Sequence, residues 1–226
     1  MKKESYNNEI EVLKSNLIKL STIWDGKKSI LELKEADYNW RQMEWWAFYF
    51  EYQVKKLLSK HFKFPGDKYG NVSFDLKGSI NWDLKASAIK TDNHKIILND
   101  KDAMDKSIEQ EGYHGEIIAL CDVEYNDVNR TFQKWHTELK GGKSSYEVTR
   151  EKRTSISRYR KTKTQLVEII LIVLNNNDLN HLSIMKQGRN SNGMDRKEKY
   201  MLDLENIDIF ENYIINFENC DNENVL

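Results

Sequence analysis

The sequence predicts a mixed α/β (α+β) domain, with a central mixed sheet flanked by helices. Three observations point there. Strand-like apolar runs alternate with helix-like segments along the chain. Residues 166–174 (Leu-Val-Glu-Ile-Ile-Leu-Ile-Val-Leu) are dense in β-branched side chains, as a buried strand requires. No internal repeat or long linker divides the chain, and 226 residues suffice for one substantial core.

The elements follow in order. Residues 7–22 place Ile10, Leu13, Leu17 and Leu20 at helical spacing, with Asp25-Gly26 as the stop. Residues 39–62 predict a second helix with a heavy aromatic load (Trp40, Trp45, Trp46, Phe48, Tyr49, Phe50, Tyr52), suited to packing on a sheet. Pro65-Gly66-Asp67 marks a loop. Strands are expected at 71–77, 80–89 and 94–99, and a helix at 100–111 capped by Asn99 or Asp100. A buried strand is expected at 115–125, a helix at 127–139 and the strongest strand at 166–174. Residues 179–186 read as a weak strand or short helix, 188–193 as a loop, 199–204 as a strand and 205–217 as a short helix. The whole chain, 1–226, reads as one domain, with 1–38 as a helical arm or subdomain and 140–226 as the half that completes the sheet and contacts a partner.

Composition narrows the class. Hydrophobic content of 39% with charged content of 31% is that of a soluble globular protein. No apolar run approaches the roughly 20 residues of a membrane span, and the charged start gives no secretory signal, so a cytoplasmic protein without membrane contact is expected. Cys121 and Cys220 are far apart; Cys121 sits in an apolar strand and reads as a core residue. The net charge of −1 hides an uneven distribution. Residues 134–163 carry ten bases against three acids, and residues 201–226 carry seven acids and no base. A local basic stripe of this kind suits a polyanion.

The chemistry concentrates in residues 71–88. Asp83 and Lys85, two apart on a strand, share a face. A turn at Gly78 brings Asp75 beside them. Acid-x-Lys tripeptides also start at Asp25, Glu32, Asp75, Glu138 and Asp195, but only Asp83-Leu84-Lys85 lies in a strand-like run behind a glycine turn and a further acid. Carboxylates and water are the ligands Mg²⁺ prefers. Asp75 and Asp83, with the backbone carbonyl of Leu84, are the expected ligands. Such a cation polarises a phosphate and acidifies a bound water. Lys85 would orient that water and stabilise developing charge. The five histidines show no paired metal spacing, and neither a phosphate-cradling Gly-rich loop ending in Lys-Ser/Thr nor a Gly-x-Ser-x-Gly elbow occurs.

These pieces resemble the PD-(D/E)xK nuclease superfamily, to which most type II restriction endonucleases belong. The resemblance covers residues 40–125 and rests on a helix bearing Glu51 (Phe50-Glu51-Tyr52-Gln53-Val54), then Phe74-Asp75, then Asp83-Leu84-Lys85. The proline before the first aspartate is replaced by Phe74, and Asp67 competes as the first acid. Glu51 is implied as a further catalytic acid, with Glu44, two helical turns earlier, as its rival. The resemblance implies Mg²⁺-dependent hydrolysis of double-stranded DNA at a palindromic site, leaving a 5′-phosphate, by a homodimer. Size and general texture are similar to an enzyme of that class specific for A·T pairs, which implies an A·T-rich site. Alternatives are a structure-specific or repair nuclease on the same core and a non-catalytic DNA-binding protein.

Two segments are expected at the DNA. Arg150, Lys152, Arg153, Arg158, Arg160, Lys161 and Lys163 are interleaved with hydroxyl residues suited to phosphates. The loop bearing Arg189, Asn190 and Asn192 offers a guanidinium and amides suited to base edges, with a plain turn as the alternative.

Overall fold

The computed structural model describes residues 2–65, 74–89, 93–143, 145–152, 159–189 and 193–217. In chain order the elements are α1 (Lys2–Leu17), β1 (Ile23–Asp25), α2 (Gly26–Glu35), α3 (Trp45–Leu58), β2 (Leu76–Lys77), β3 (Asn81–Ala88), β4 (Lys95–Asp100), α4 (Lys101–Glu111), β5 (His114–Glu124), α5 (Thr131–Leu139), α6 (Ser145–Glu151), β6 (Lys163–Leu174), β7 (Ser183–Met185), β8 (Lys199–Asp203) and β9 (Glu211–Asn216), with 3₁₀ turns at Asp178–His181 and Leu204–Ile209.

The expected mixed α+β architecture is present. A six-stranded sheet runs β1-β6-β5-β3-β2, and β9 also pairs with β6. Along one edge β6 meets β5 throughout; its other edge is shared, β1 taking residues 163–165 and β9 residues 168–173. Within this sheet β3 and β5 pair in parallel and all other pairs are antiparallel. A second, antiparallel sheet runs β4-β8-β7.

Strand alternation sends side chains of the large sheet into two cores. Ile117, Ala119, Cys121, Ile169, Leu171 and Val173 face the helices α1–α3; Ile118, Ile170, Ile172 and Leu174 face α4 and the small sheet. Residues 1–38, read as a helical arm or subdomain, supply Tyr6, Ile10, Leu13, Leu17, Trp24, Ile30 and Leu33 to the helical core. Trp24 packs against Tyr49 and Phe50, with ring centroids 5.7 and 6.3 Å away. Among the described residues no helix is long and apolar enough to cross a membrane.

Two expectations need correction. Asp25-Gly26 starts a helix rather than stopping one: α1 ends at Leu17, and the Asp25 carboxylate caps α2 by accepting the Lys28 amide at 2.9 Å. Gly26 is there for close approach, because a Cβ would lie 2.7 Å from the Thr162 carbonyl oxygen. Residues 205–217, read as a helix, form a 3₁₀ turn and then β9. Phe210, Ile214 and Phe217 imitate helical spacing, but the free edge of β6 supplies backbone partners, and Ile214 is exposed where Ile215 is buried, as on a strand.

Candidate active site

The β2–β3 hairpin positions the central residues. Gly78 N–H donates to the Ile80 carbonyl at 3.0 Å, closing the turn, and Asp75 N–H donates to the Trp82 carbonyl at 3.0 Å, extending the ladder past β2. Glu9 of α1 clamps the turn. One of its carboxylate oxygens accepts from the Ser79 amide, and the other accepts from Trp82 Nε1 at 3.0 Å. Trp82 is fully buried and lies so close over Gly115 that any Cβ there would overlap its ring.

Alternation along β3 sends Trp82 and Leu84 into the helical core, so Asp83 and Lys85 face the opposite side. Asp75 sits at the edge of β3, its Oδ2 accepting the Leu84 amide at 2.7 Å. It is thus the amide of Leu84 that meets Asp75. Glu51, on α3, lines a pocket with Tyr38, Lys55, Phe64, Pro65, Asp75 and Leu84, and accepts from the Tyr38 hydroxyl at 3.4 Å. Asp75 and Glu51 thus share a pocket, and Asp83 and Lys85 lie near enough for their charges to act on both. Glu44 stands apart: it precedes α3, accepts from Trp46 Nε1 at 2.8 Å and pairs with Lys161. Asp67 lies outside the described residues.

The parallel register then adds residues that the sequence did not single out. Glu116 on β5 is the direct partner of Asp83, and His114 that of Asn81. His114 Nε2 lies 3.2 Å from Asp83 Oδ2 and 3.5 Å from Glu116 Oε1. Its Nδ1 lies 3.0 Å from Ser107 Oγ, which accepts from Asn81 Nδ2 at 2.9 Å. The Asn99 amide at the end of β4 donates to Asp83 Oδ2. His114 and Glu116 are 0% exposed and Asp83 is 2% exposed, and the three could hold a metal ion. A His-x-Glu pair one strand period apart was the only local signal for them.

Four carboxylates around one lysine and one histidine leave an excess of negative charge, and each group registers it. Burial, then the Asp75 charge, pushes Glu51 up to about 7 against the pull of Lys85. Burial, then the Asp83 charge, pushes Asp75 up to about 6. Burial also raises Glu116, despite His114 and Lys85. Burial alone would raise Asp83, but the close approach of His114, the charges of Lys85 and His114, and the Asn99 amide hold it below its ordinary value. Burial alone would lower Lys85, but Glu116, Asp83, Asp75 and Glu51 outweigh it and keep the ammonium firmly charged. His114 is pushed up to about 9 by Asp83 and Glu116, against its burial. Acids with raised pKa values beside a strand and a pocket are an arrangement that suits a cation or acid–base work.

The residues expected at DNA are less uniform. Lys152 is exposed. Arg160 is not a surface cation: it is 6% exposed, and its guanidinium lies 3.5 Å from Glu147. Lys161 pairs with Glu44 and lies 4.8 Å from the Trp46 ring centroid, while its backbone carbonyl accepts from Trp45 Nε1 at 2.9 Å. Lys163 pairs with Glu124 at 3.1 Å, and exposed Arg189 pairs with Asp195 at 3.1 Å. Charge density alone does not distinguish such locally paired cations from free ones. Arg153, Arg158, Asn190 and Asn192 lie outside the described residues, as does the side chain of Arg150.

Comparison of the chain with protein-family models, with curated proteins and with solved structures finds no match.

Proposed function

We propose that this chain is a Mg²⁺-dependent endonuclease of the type II restriction class, with a PD-(D/E)xK-like core, hydrolysing phosphodiester bonds in double-stranded DNA. The observation that carries the reading is the convergence of Asp75, Asp83 and Lys85 on the β2–β3 hairpin, with Glu51 arriving from α3 at the adjoining pocket. Two carboxylates that raise or oppose one another's ionisation are an oxygen donor set suited to a hard divalent cation. Asp75 and Asp83 would hold Mg²⁺, which when bound supplies Lewis acidity toward phosphate and a more acidic water.

The chain's own residues do the rest. Lys85, kept charged by its acidic neighbours, is a fixed positive group for the extra negative charge of a pentavalent phosphate. Glu51, oriented by the Tyr38 hydroxyl, stands where it can accept a proton from a water on the pocket side. The Leu84 amide fixes the Asp75 carboxylate, so that one of its oxygens is positioned by backbone rather than by a mobile side chain. A homodimer would match a palindromic site. Exposed Lys152 supports phosphate contact; Arg160, Lys161 and Lys163 serve first as internal ion-pair partners.

The test is incubation with long duplex DNA and Mg²⁺. Discrete fragments are expected for the wild type. Asp83→Ala and Lys85→Ala should each lower cleavage by at least about a hundredfold, the order seen when one electrostatic stabiliser is lost. Cutting only at branches or ends would favour the repair reading. DNA binding without any cutting would leave a non-catalytic binder and overturn the proposal.

A further inference from the structure

The inner face of β3 and β5 carries a second donor set, and the hydrolysis proposed above makes no use of it beyond sharing Asp83. We infer that Asp83, His114 and Glu116 form a buried binding site for one first-row transition-metal ion, of which Zn²⁺ is the type.

Three features of the donor set support the site. First, the polar atoms are aimed inward and left without ordinary partners. Neither Glu116 oxygen nor His114 Nε2 has a partner in good hydrogen-bond geometry, although both residues are fully buried; His114 Nε2 meets Asp83 and Glu116 as a charge neighbour at 3.2 and 3.5 Å. An ionised carboxylate sealed from water without hydrogen bonds is costly, and a coordinated ion is one of the few things that offsets that cost. Second, the spacings are those of ligands around a small ion. With Zn–N and Zn–O bonds of about 2.0–2.1 Å, tetrahedral geometry puts neighbouring ligand atoms about 3.3–3.4 Å apart. His114 Nε2 lies 3.2 Å from the Asp83 oxygen and 3.5 Å from the Glu116 oxygen. All three ligand atoms lie within 4.8 Å of one another.

Third, the outer groups orient the ligands as metal sites require. Ser107 Oγ stands 3.0 Å from His114 Nδ1, so it can accept a hydrogen bond from Nδ1–H and leave the Nε2 lone pair for the ion. Asn99 holds Asp83 Oδ2. A fourth buried polar atom without a hydrogen-bond partner, Asn81 Oδ1, belongs to the strand residue two before Asp83, on the same face. The ligands come from two strands in parallel register, so the sheet itself preorganises them.

The donor types choose the metal. An imidazole nitrogen with carboxylate oxygens suits Zn²⁺, Co²⁺ or Mn²⁺, whereas Mg²⁺ and Ca²⁺ favour all-oxygen shells. Full burial predicts slow exchange and retention through dialysis. The outer carboxylates Asp75 and Glu51 lie on the pocket side and should not contribute.

The experiment is to load the full chain with Zn²⁺, dialyse against metal-free buffer and measure metal per chain. Co²⁺ serves as a spectroscopic substitute. One retained equivalent is expected for the wild type and for Asp75→Asn and Glu51→Gln. Glu116→Gln and His114→Gln should weaken binding by more than tenfold and abolish the Co²⁺ visible bands. Circular dichroism establishes that the variants fold. Should they not, X-ray absorption of the Zn²⁺-loaded wild type decides: a nitrogen/oxygen shell with one imidazole supports the site, and sulfur or several imidazoles overturns it. Absence of retained metal in folded wild type, retention unchanged in Glu116→Gln, or loss in Asp75→Asn instead would each overturn it. Because the readout is bound metal, DNA cleavage can fail with Zn²⁺ binding intact, and the reverse, so the two proposals stand or fall separately.

Discussion

Glu9→Ala should unclip the hairpin that carries Asp75 and Asp83. In the fold the Glu9 carboxylate accepts two hydrogen bonds, from the Ser79 amide and from Trp82 Nε1 at 3.0 Å. The two differ in value. The Ser79 amide sits at an exposed turn, where water can replace the carboxylate, so its loss costs little. The Trp82 indole is fully buried, and its N–H would lose a charged acceptor. A hydrogen bond to a charged group is worth about 1.5–3 kcal/mol, so Glu9→Ala should destabilise the protein by about 2–3 kcal/mol. Glu9→Gln keeps an acceptor oxygen and should cost about half as much. Urea unfolding monitored by tryptophan fluorescence measures the change. The control is a double-mutant cycle: with Trp82→Phe, which removes the donor, Glu9→Ala should cost about 1.5 kcal/mol less than in the wild type. Equal costs in the two backgrounds, or a loss under about 0.5 kcal/mol in the wild type, the range of ordinary surface substitutions, would refute the clamp.

Other outcomes follow from packing and protonation. Gly115→Ala would drive a Cβ into the Trp82 ring and should cost about 1–3 kcal/mol, lowering Tm by on the order of 2–10 °C; an unchanged Tm by calorimetry would contradict the close packing of β3 on β5. His136 is buried with its Nε2 2.9 Å from the Trp40 carbonyl oxygen, and burial holds its pKa below the ordinary 6.5. The unfolded chain therefore binds the proton first, so the stability due to neutral His136 is fully present above pH 6.5 and is lost as pH falls toward the lower folded value. Urea midpoints between pH 7.5 and 5.5 should fall more for the wild type than for His136→Gln, and parallel falls would refute the assignment.

Sequence patterns located most elements because apolar periodicity is local. Residues 80–89 and 166–174 announce strands without reference to anything distant. The same locality explains the failures. Phe210, Ile214 and Phe217 read as a helix because their spacing is helical, and only the open edge of β6 makes Glu211–Asn216, between the two phenylalanines, a strand. Asp25-Gly26 is a polar-glycine pair that serves equally to end or begin a helix, and the Lys28 amide decides it. At the site, Asp83 and Lys85 were legible from a period of two, and Glu51 only through the resemblance of its helix to the acid-bearing helix of the nuclease superfamily. His114, Glu116 and Asn99 were not, since they meet Asp83 only through the β3–β5 register and the approach of β4. The pairing within the basic segment was hidden for a related reason. Its composition suits phosphate, yet Arg160, Lys161 and Lys163 already have carboxylate partners brought by Glu147, Glu44 and Glu124.

The divided edge of β6 constrains when this molecule can become complete. Its partners β1 and β9 come from residues 23–25 and 211–216, near opposite ends of the described chain, and they close one edge of one strand between them. During synthesis β6 emerges well before β9 exists, so a row of backbone donors and acceptors beside Ile169, Leu171 and Val173 stays open to other chains. Closure waits on contacts of long sequence separation, which form slowly. A chain shortened before Glu211 would keep that edge permanently open, and its failing would be association with its own copies rather than simple loss of stability.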